Sequence, residues 1–174
     1  MAFEISEFAA QAGTDYARAN LFEVEIGDLV GAKLLVKTAS LPNAMVNAIE
    51  IPYMNRKWKV PGDRVFNDWT VTVINDESYV LRKALITWQG NLTAFSDMRS
   101  AVKIAGSHQE LTVRPYSRDG NAVTGADWKM FGWPSDIGTI DLSWDNADTI
   151  QEYSVTFSIS WDNGGNSAKS ITLA

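Results

Sequence analysis

The sequence predicts a mainly β domain: an antiparallel β-sandwich or barrel with one packed α-helix and a long loop. Three observations predict it. Apolar and polar residues alternate in runs at 21–26, 69–74, 139–144 and 153–161, the period of a half-buried strand. The run 80–88 changes to a helical period. Clusters of Gly, Pro, Asn and Asp punctuate the intervals. With 174 residues, residues 1–174 are expected to form a single domain, burying roughly 70% of the surface its unfolded chain exposes.

The first 20 residues are Ala-rich and include Gly13; periodicity does not decide between a short helix and an arm, and they are read as an N-terminal arm. From Leu21 to Ile26, Phe22, Val24 and Ile26 share one face and Glu23 and Glu25 the other, which makes a strand. A second strand is expected over Lys33–Thr38, across a turn at Gly27. Residues 40–68 are the least regular stretch, carrying Pro42, Pro52, Pro61 and Gly62, although Ile49, Ile51 and Tyr53 alternate like a short strand. A long ordered loop in a compact domain is usually functional.

Trp69–Ile74 alternates again, with Trp69, Val71 and Val73 inward. After Asn75-Asp76-Glu77-Ser78, a helix-start signal, Val80, Leu81, Ala84, Leu85 and Trp88 recur at helical spacing, and Gly90 supplies a stop. Leu111–Tyr116 is a strand candidate, and Asp119-Gly120-Asn121 suggests a turn leading to a strand near Trp128–Trp133. In the last two strands the inward sets are Ile140, Leu142 and Trp144, then Tyr153, Val155, Phe157, Ile159 and Trp161.

Charge and composition exclude several function classes. With 15 basic and 21 acidic residues, the net charge is −6, so the chain should repel nucleic acid rather than grip it. There is no Cys, hence no disulfide framework, thiolate metal site or Cys nucleophile. The acidic N-terminus lacks a signal-peptide pattern and no long apolar run occurs, so the chain is expected to be made and kept in a cytoplasm, with no membrane partner. His108 is the single histidine, and its neighbours Ser107 and Gln109 belong to no nucleophile motif; it reads as a surface-loop residue. No phosphate-binding Gly-rich motif is present, and the pair Asp145 and Asp148 reads as solvated turn carboxylates. No catalytic residue, metal or cofactor is expected.

Seven tryptophans allow a carbohydrate-binding reading, in which exposed rings stack on sugars. However, Trp69, Trp88, Trp144 and Trp161 sit in phase with core faces. Trp58 does not: it lies in Arg56-Lys57-Trp58-Lys59, as either a solvated basic turn or a docking contact. The outer face of the last strand, Ser154, Thr156, Ser158 and Ser160, is small, polar and uncharged, which suits burial against another subunit. The residues Thr70 and Thr72 add to it, and edge strands of this kind invite pairing with another chain.

The segments Ala19-Asn20-Leu21-Phe22-Glu23-Val24, Ile51-Pro52-Tyr53-Met54-Asn55-Arg56-Lys57, Pro61-Gly62-Asp63-Arg64-Val65-Phe66 and Trp69-Thr70-Val71-Thr72-Val73-Ile74-Asn75-Asp76 together resemble the tail tube protein family of contractile-tailed bacteriophages. Leu81–Trp88 is similar to the family's helix and Asp148–Phe157 to its closing strand. Met54-Asn55 departs from the Arg-Gly turn that the family often has at this point. The resemblance implies a structural, virion-tail protein assembled in the host cytoplasm: a hexameric ring with one continuous inner barrel, stacked into a tube. It also implies a contractile sheath outside, a tape-measure protein inside and a baseplate at one end, with phage DNA passing through unbound. Baseplate tube initiators and the tubes of phage-derived injection systems share this fold and are the alternatives.

On this reading Arg56, Lys57, Trp58, Lys59 and Arg64 are the expected inter-ring stacking contacts, meeting acidic groups on a neighbouring subunit. Ser154, Thr156, Ser158 and Ser160 are the expected inter-subunit face. If faces opposite the core line the bore, Glu23, Glu25 and Asp141 project towards the DNA; otherwise they are surface carboxylates that confer solubility.

Overall fold

The computed structural model describes Ile5, Leu29 and residues 16–27, 32–93, 107–145 and 148–163. In chain order its elements are β1 (Phe22–Ile26), α1 (Ala32–Leu35), β2 (Val36–Ala39), β3 (Ala44–Tyr53), β4 (Arg56–Phe66), β5 (Trp69–Ile74), α2 (Val80–Leu92), β6 (Gln109–Pro115), β7 (Trp128–Ile137) and β8 (Glu152–Asp162). Most of the N-terminal arm lies outside the described residues.

Six strands form one sheet in the order β1-β6-β7-β8-β5-β2, and every pair is antiparallel. Its two edge strands, β1 and β2, also touch, so the sheet rolls into a near-barrel. Alternation along each strand drives this closure. Val24, Ile26, Val71, Val73, Leu111, Val113, Val155 and Phe157 all turn inward and are at most 3% exposed. The amphipathic α2 supplies Leu81, Leu85 and Trp88 to the same core. Phe157 is the hinge of that packing, with its ring 5.6 Å from Trp69 and 6.1 Å from Trp88, close enough for favourable tilted aromatic contacts.

Several expectations need correction. Lys33 belongs to the helical turn α1, and the second strand begins at Val36. The N-cap residue of helix α2 is Tyr79, in a left-handed conformation (φ 54°) and without a side-chain cap bond, while Asp76 of the start signal accepts from the Val80 N–H at 3.5 Å. Asn75 does not cap, for a tertiary reason: Asn75 Nδ2 and the Tyr79 hydroxyl both donate to Gln151 Oε1 at 2.9 Å, tying the helix entry to the start of β8. Gly90 does not end the helix, which runs on to Leu92.

Residues 139–144 form no strand. The ladder ends where Gly138 N–H donates to Ser154 O at 2.7 Å, and β8 already has β7 on one side and β5 on the other, so no edge is free there. Ile140 packs against the core, but Leu142 is 75% exposed and Trp144 entirely so. The expected core role of Trp144 is therefore wrong. Trp161 is also displaced: a register slip between Phe131 and Gly132 adds a residue to β8 and turns Trp161 away from the Ile159 face, so that it lies 5.7 Å from Phe131.

Candidate functional site

The stretch 40–68, expected to be an irregular loop, is a long β-hairpin. Strands β3 and β4 pair only with each other, in a two-stranded sheet separate from the barrel. Its prolines do not break it, because a two-stranded ribbon has an outer edge on each strand where a missing N–H costs no ladder bond. Asn55 (φ 61°) and Met54 (φ 42°) form the turn; left-handed geometry at both central residues matches the twist of a two-residue hairpin. Asn adopts it readily, whereas Met does not.

Register decides which hairpin residues share a face. Ile49 lies opposite Val60, Ile51 opposite Trp58, and Tyr53 opposite Arg56, so these six residues form one face, apolar except for Arg56. Glu50 lies opposite Lys59, and Pro52 opposite Lys57, on the other face, where Glu50 pairs with Lys57 Nζ at 2.7 Å and Lys59 Nζ at 3.9 Å. The apolar face is bare: Ile49, Ile51, Tyr53 and Trp58 are 57%, 49%, 69% and 72% exposed. Contiguous exposed apolar surface of this kind marks an interaction site.

All five expected stacking residues thus lie on β4, but not on one surface. Arg56 and Trp58 share the apolar face, Lys57 and Lys59 share the charged one, and Arg64 sits nearer the root, opposite Val46. Sequence reasoning missed Ile49, Ile51 and Tyr53 as contact residues, although their alternation was the available signal.

The Ser/Thr face is continuous across two strands. Thr70 lies opposite Thr156 and Thr72 opposite Ser154, with the Thr70 and Thr156 hydroxyls 3.1 Å apart. β8 is central rather than an edge, so its backbone cannot pair with another chain; only its side-chain face is available. Ser158 lies opposite Trp133. Ser160 bonds to His108 Nε2 at 3.0 Å, while Ser107 Oγ lies 2.8 Å from His108 Nδ1. His108 is thus half-buried rather than a surface-loop residue, and serines occupy both its ring nitrogens. Among the described residues no carboxylate orients it as a catalytic base.

The expected bore residues separate into two places. Glu23 and Glu25 lie on β1, out of phase with Val24 and Ile26, and enter a charge cluster. Lys33 Nζ pairs with Glu23 at 3.1 Å and also with Glu25. Arg114 lies 3.9 Å from Glu23, 3.5 Å from Glu25 and 3.3 Å from Asp127. The Tyr116 hydroxyl donates to Glu23, and that bond, with help from Lys33 and Arg114, holds the Glu23 carboxyl below the usual carboxylate range. Asp141 is far along the chain in the irregular segment after β7, exposed, and not part of this cluster.

A phage tail tube protein family model matches residues 2–161. The tail tube protein gp19 of Enterobacteria phage T4 is 38% identical over 149 residues, covering 84% of this chain and 91% of the relative. Its counterpart from Enterobacteria phage T6 is 37% identical over the same length and the same shares of each chain. Among solved structures, the sheath/tube terminator of the PVC extracellular contractile injection system superposes with a TM-score of 0.66 at 14% identity, covering 87% of this chain and 97% of that one. The sheath-tube complex of the same system gives 0.57 at 14% identity, covering 92% and 97%. These two likenesses establish the fold; the sequence matches establish more, since they run through β1, the hairpin, α2 and β8 alike, and they place this chain in the phage tail tube protein family.

Proposed function

We propose that copies of this chain form rings of six that stack into the hollow tube of a contractile phage tail, the conduit for DNA delivery. The observation that carries this reading is the hairpin of β3 and β4, which leaves the barrel with an apolar face that no other described residue covers. A lone two-stranded ribbon is marginally stable in water, so its full order is expected to come from neighbouring subunits. The role is structural. A contractile sheath outside the tube, a tape-measure protein inside it and a baseplate below are the proposed partners, and the virion tail, built in the host cytoplasm, is the proposed location.

Within the ring, the Ser/Thr face of β5 and β8 is the proposed subunit contact, since its small uncharged side chains can be buried without stranding a charge. Glu23, Glu25 and Asp141 remain the proposed bore residues. Lys33 and Arg114 set the terms for the first two: a wall whose carboxylates are already paired repels DNA weakly, which favours smooth passage over strong exclusion.

Negative-stain microscopy and sizing of the purified protein across a concentration series test the proposal. Rings or rods that grow with concentration are expected, because a head-to-tail contact that does not close propagates as a filament. A strict monomer at high concentration, unresponsive to added tail seeds, overturns it.

A further inference from the structure

Residues 139–145 and 148–151, between β7 and β8, form a second bare apolar surface among the described residues. Leu142, Trp144 and Ile150 are 75%, 103% and 66% exposed. The two limbs of the segment, 139–143 and 149–152, face one another across an open cleft of about 440 Å³, lined by Ile140, Leu142 and Ile150 and by six polar residues, Asp141 and Glu152 among them. From Gly138 to Glu152 the chain carries Asp141, Asp145, Asp148 and Glu152 and no Lys, Arg or His. Glu152 is paired with Lys37 at 2.6 Å. Among the described residues none of the three aspartates forms an ion pair.

The hairpin's apolar face has the complementary character. It offers the aromatic side chains of Tyr53 and Trp58 and one cation, Arg56, which forms no ion pair among the described residues. The cations Lys57 and Lys59, by contrast, are turned to the other face and share Glu50. One chain therefore bears an apolar surface with an unspent positive charge, and a largely polar cleft that holds the exposed Leu142 and Ile150 and lies beside the unspent negative charges of Asp141, Asp145 and Asp148. Their exposure shows that they do not cover each other within the molecule.

We infer that the apolar hairpin face of one copy docks into the cleft between residues 139–143 and 149–152 of another copy, with Trp58 and Tyr53 seated against Leu142 and Ile150 and Arg56 facing Asp145 and Asp148. This rests on the stacking reading above and names the receptor that reading lacks. Two different patches meeting head to tail make a heterologous contact, the kind that propagates as a tube. Buried aromatic and arginine anchors carry most of the energy in such interfaces, and the opposite charges set register and speed encounter.

The protein has no native cysteine, which makes a disulfide test unambiguous. Copies bearing Tyr53→Cys are mixed with copies bearing Ser143→Cys under mild oxidation, at concentrations that give wild-type rods. A cross-linked dimer in the mixture, with neither variant cross-linking alone, is expected. Rods without a cross-link overturn the docking while leaving stacking intact, and assign the cleft to another protein. Failure of the wild-type chain to form rods overturns stacking and docking together.

A charge exchange decides the matter if the cysteine variants do not assemble. Arg56→Glu is expected to slow rod growth at low salt by roughly tenfold or more, and copies carrying Asp145→Arg and Asp148→Arg to restore it when mixed in. Unchanged growth of Arg56→Glu, or no restoration by its partner, overturns the proposal. Circular dichroism checks that each variant is folded.

Discussion

Trp69 donates its indole N–H to the carbonyl oxygen of Ser40 at 2.6 Å, and this bond ties the barrel core to the root of the hairpin. Trp69 is 2% exposed and opens β5, while Ser40 lies just before the chain enters β3. The side chain that fills the core thus also sets where the hairpin departs.

Trp69→Phe keeps an aromatic ring in the core but removes that donor and leaves a small void. A loss of about 1–3 kcal/mol in a urea melt is expected. Amide exchange in β3 and β4 should quicken more than in β6 and β7, because the hairpin loses its anchor. Equal quickening everywhere would mean that the bond supports the core alone.

Trp88 and Trp144 separate core from surface. Trp88→Ala removes a 6% exposed ring that packs on Phe157, and a loss of about 3–5 kcal/mol is expected. Trp144→Ala removes a fully exposed ring and should change monomer stability by no more than about 0.5 kcal/mol, while weakening rod formation. Thermal melts and microscopy read the two effects separately.

The Glu23 carboxyl is held below its ordinary range first by the Tyr116 hydroxyl and then by Lys33 and Arg114. A depressed carboxylate contributes stability that is complete above the unfolded value, about 4.3 for Glu, and lost as pH falls through the lower folded value. Tyr116→Phe should move the Glu23 titration upward in a carbon-detected NMR experiment and shrink the acid-dependent part of stability. An unmoved titration would assign the shift to the cations instead.

Burial pushes the Tyr153 phenol up to about 12, with Asp76 adding to the rise and Arg82, whose guanidinium lies 4.9 Å from the ring centre, opposing it. Its hydroxyl is buried and has no hydrogen-bond partner among the described residues. The neutral form is favoured in the fold, so this contribution is present below the unfolded value of about 10 and fades as pH rises towards the folded one. Tyr153→Phe should raise stability at neutral pH by about 1 kcal/mol and remove the step of stability lost between those values. A less stable variant would reveal a hidden partner for the hydroxyl.

Local pattern determined much of this protein. Period-2 alternation placed β1, β5 and β8 and their inward residues, Trp161 past the bulge excepted, and the 3.6 period placed α2, because burial on one face is written directly into residue spacing. The order of the segments shared with tail tube proteins identified the family from the sequence, since evolutionary likeness needs no geometry. Tertiary structure decided what spacing cannot encode. The same alternation that buries Val155 leaves Leu142 and Trp144 in solvent, because burial also requires a free sheet edge and none adjoins residues 139–144. Asn75, a capping residue by its sequence context, bonds Gln151 instead, 76 positions away. The partners of Glu23 lie on β6 and α1, with Tyr116 at 93 positions' separation, beyond any local pattern. And the prolines that made 40–68 read as a loop are tolerated because β3 and β4 pair only with each other, each keeping an open edge where a missing N–H breaks no ladder.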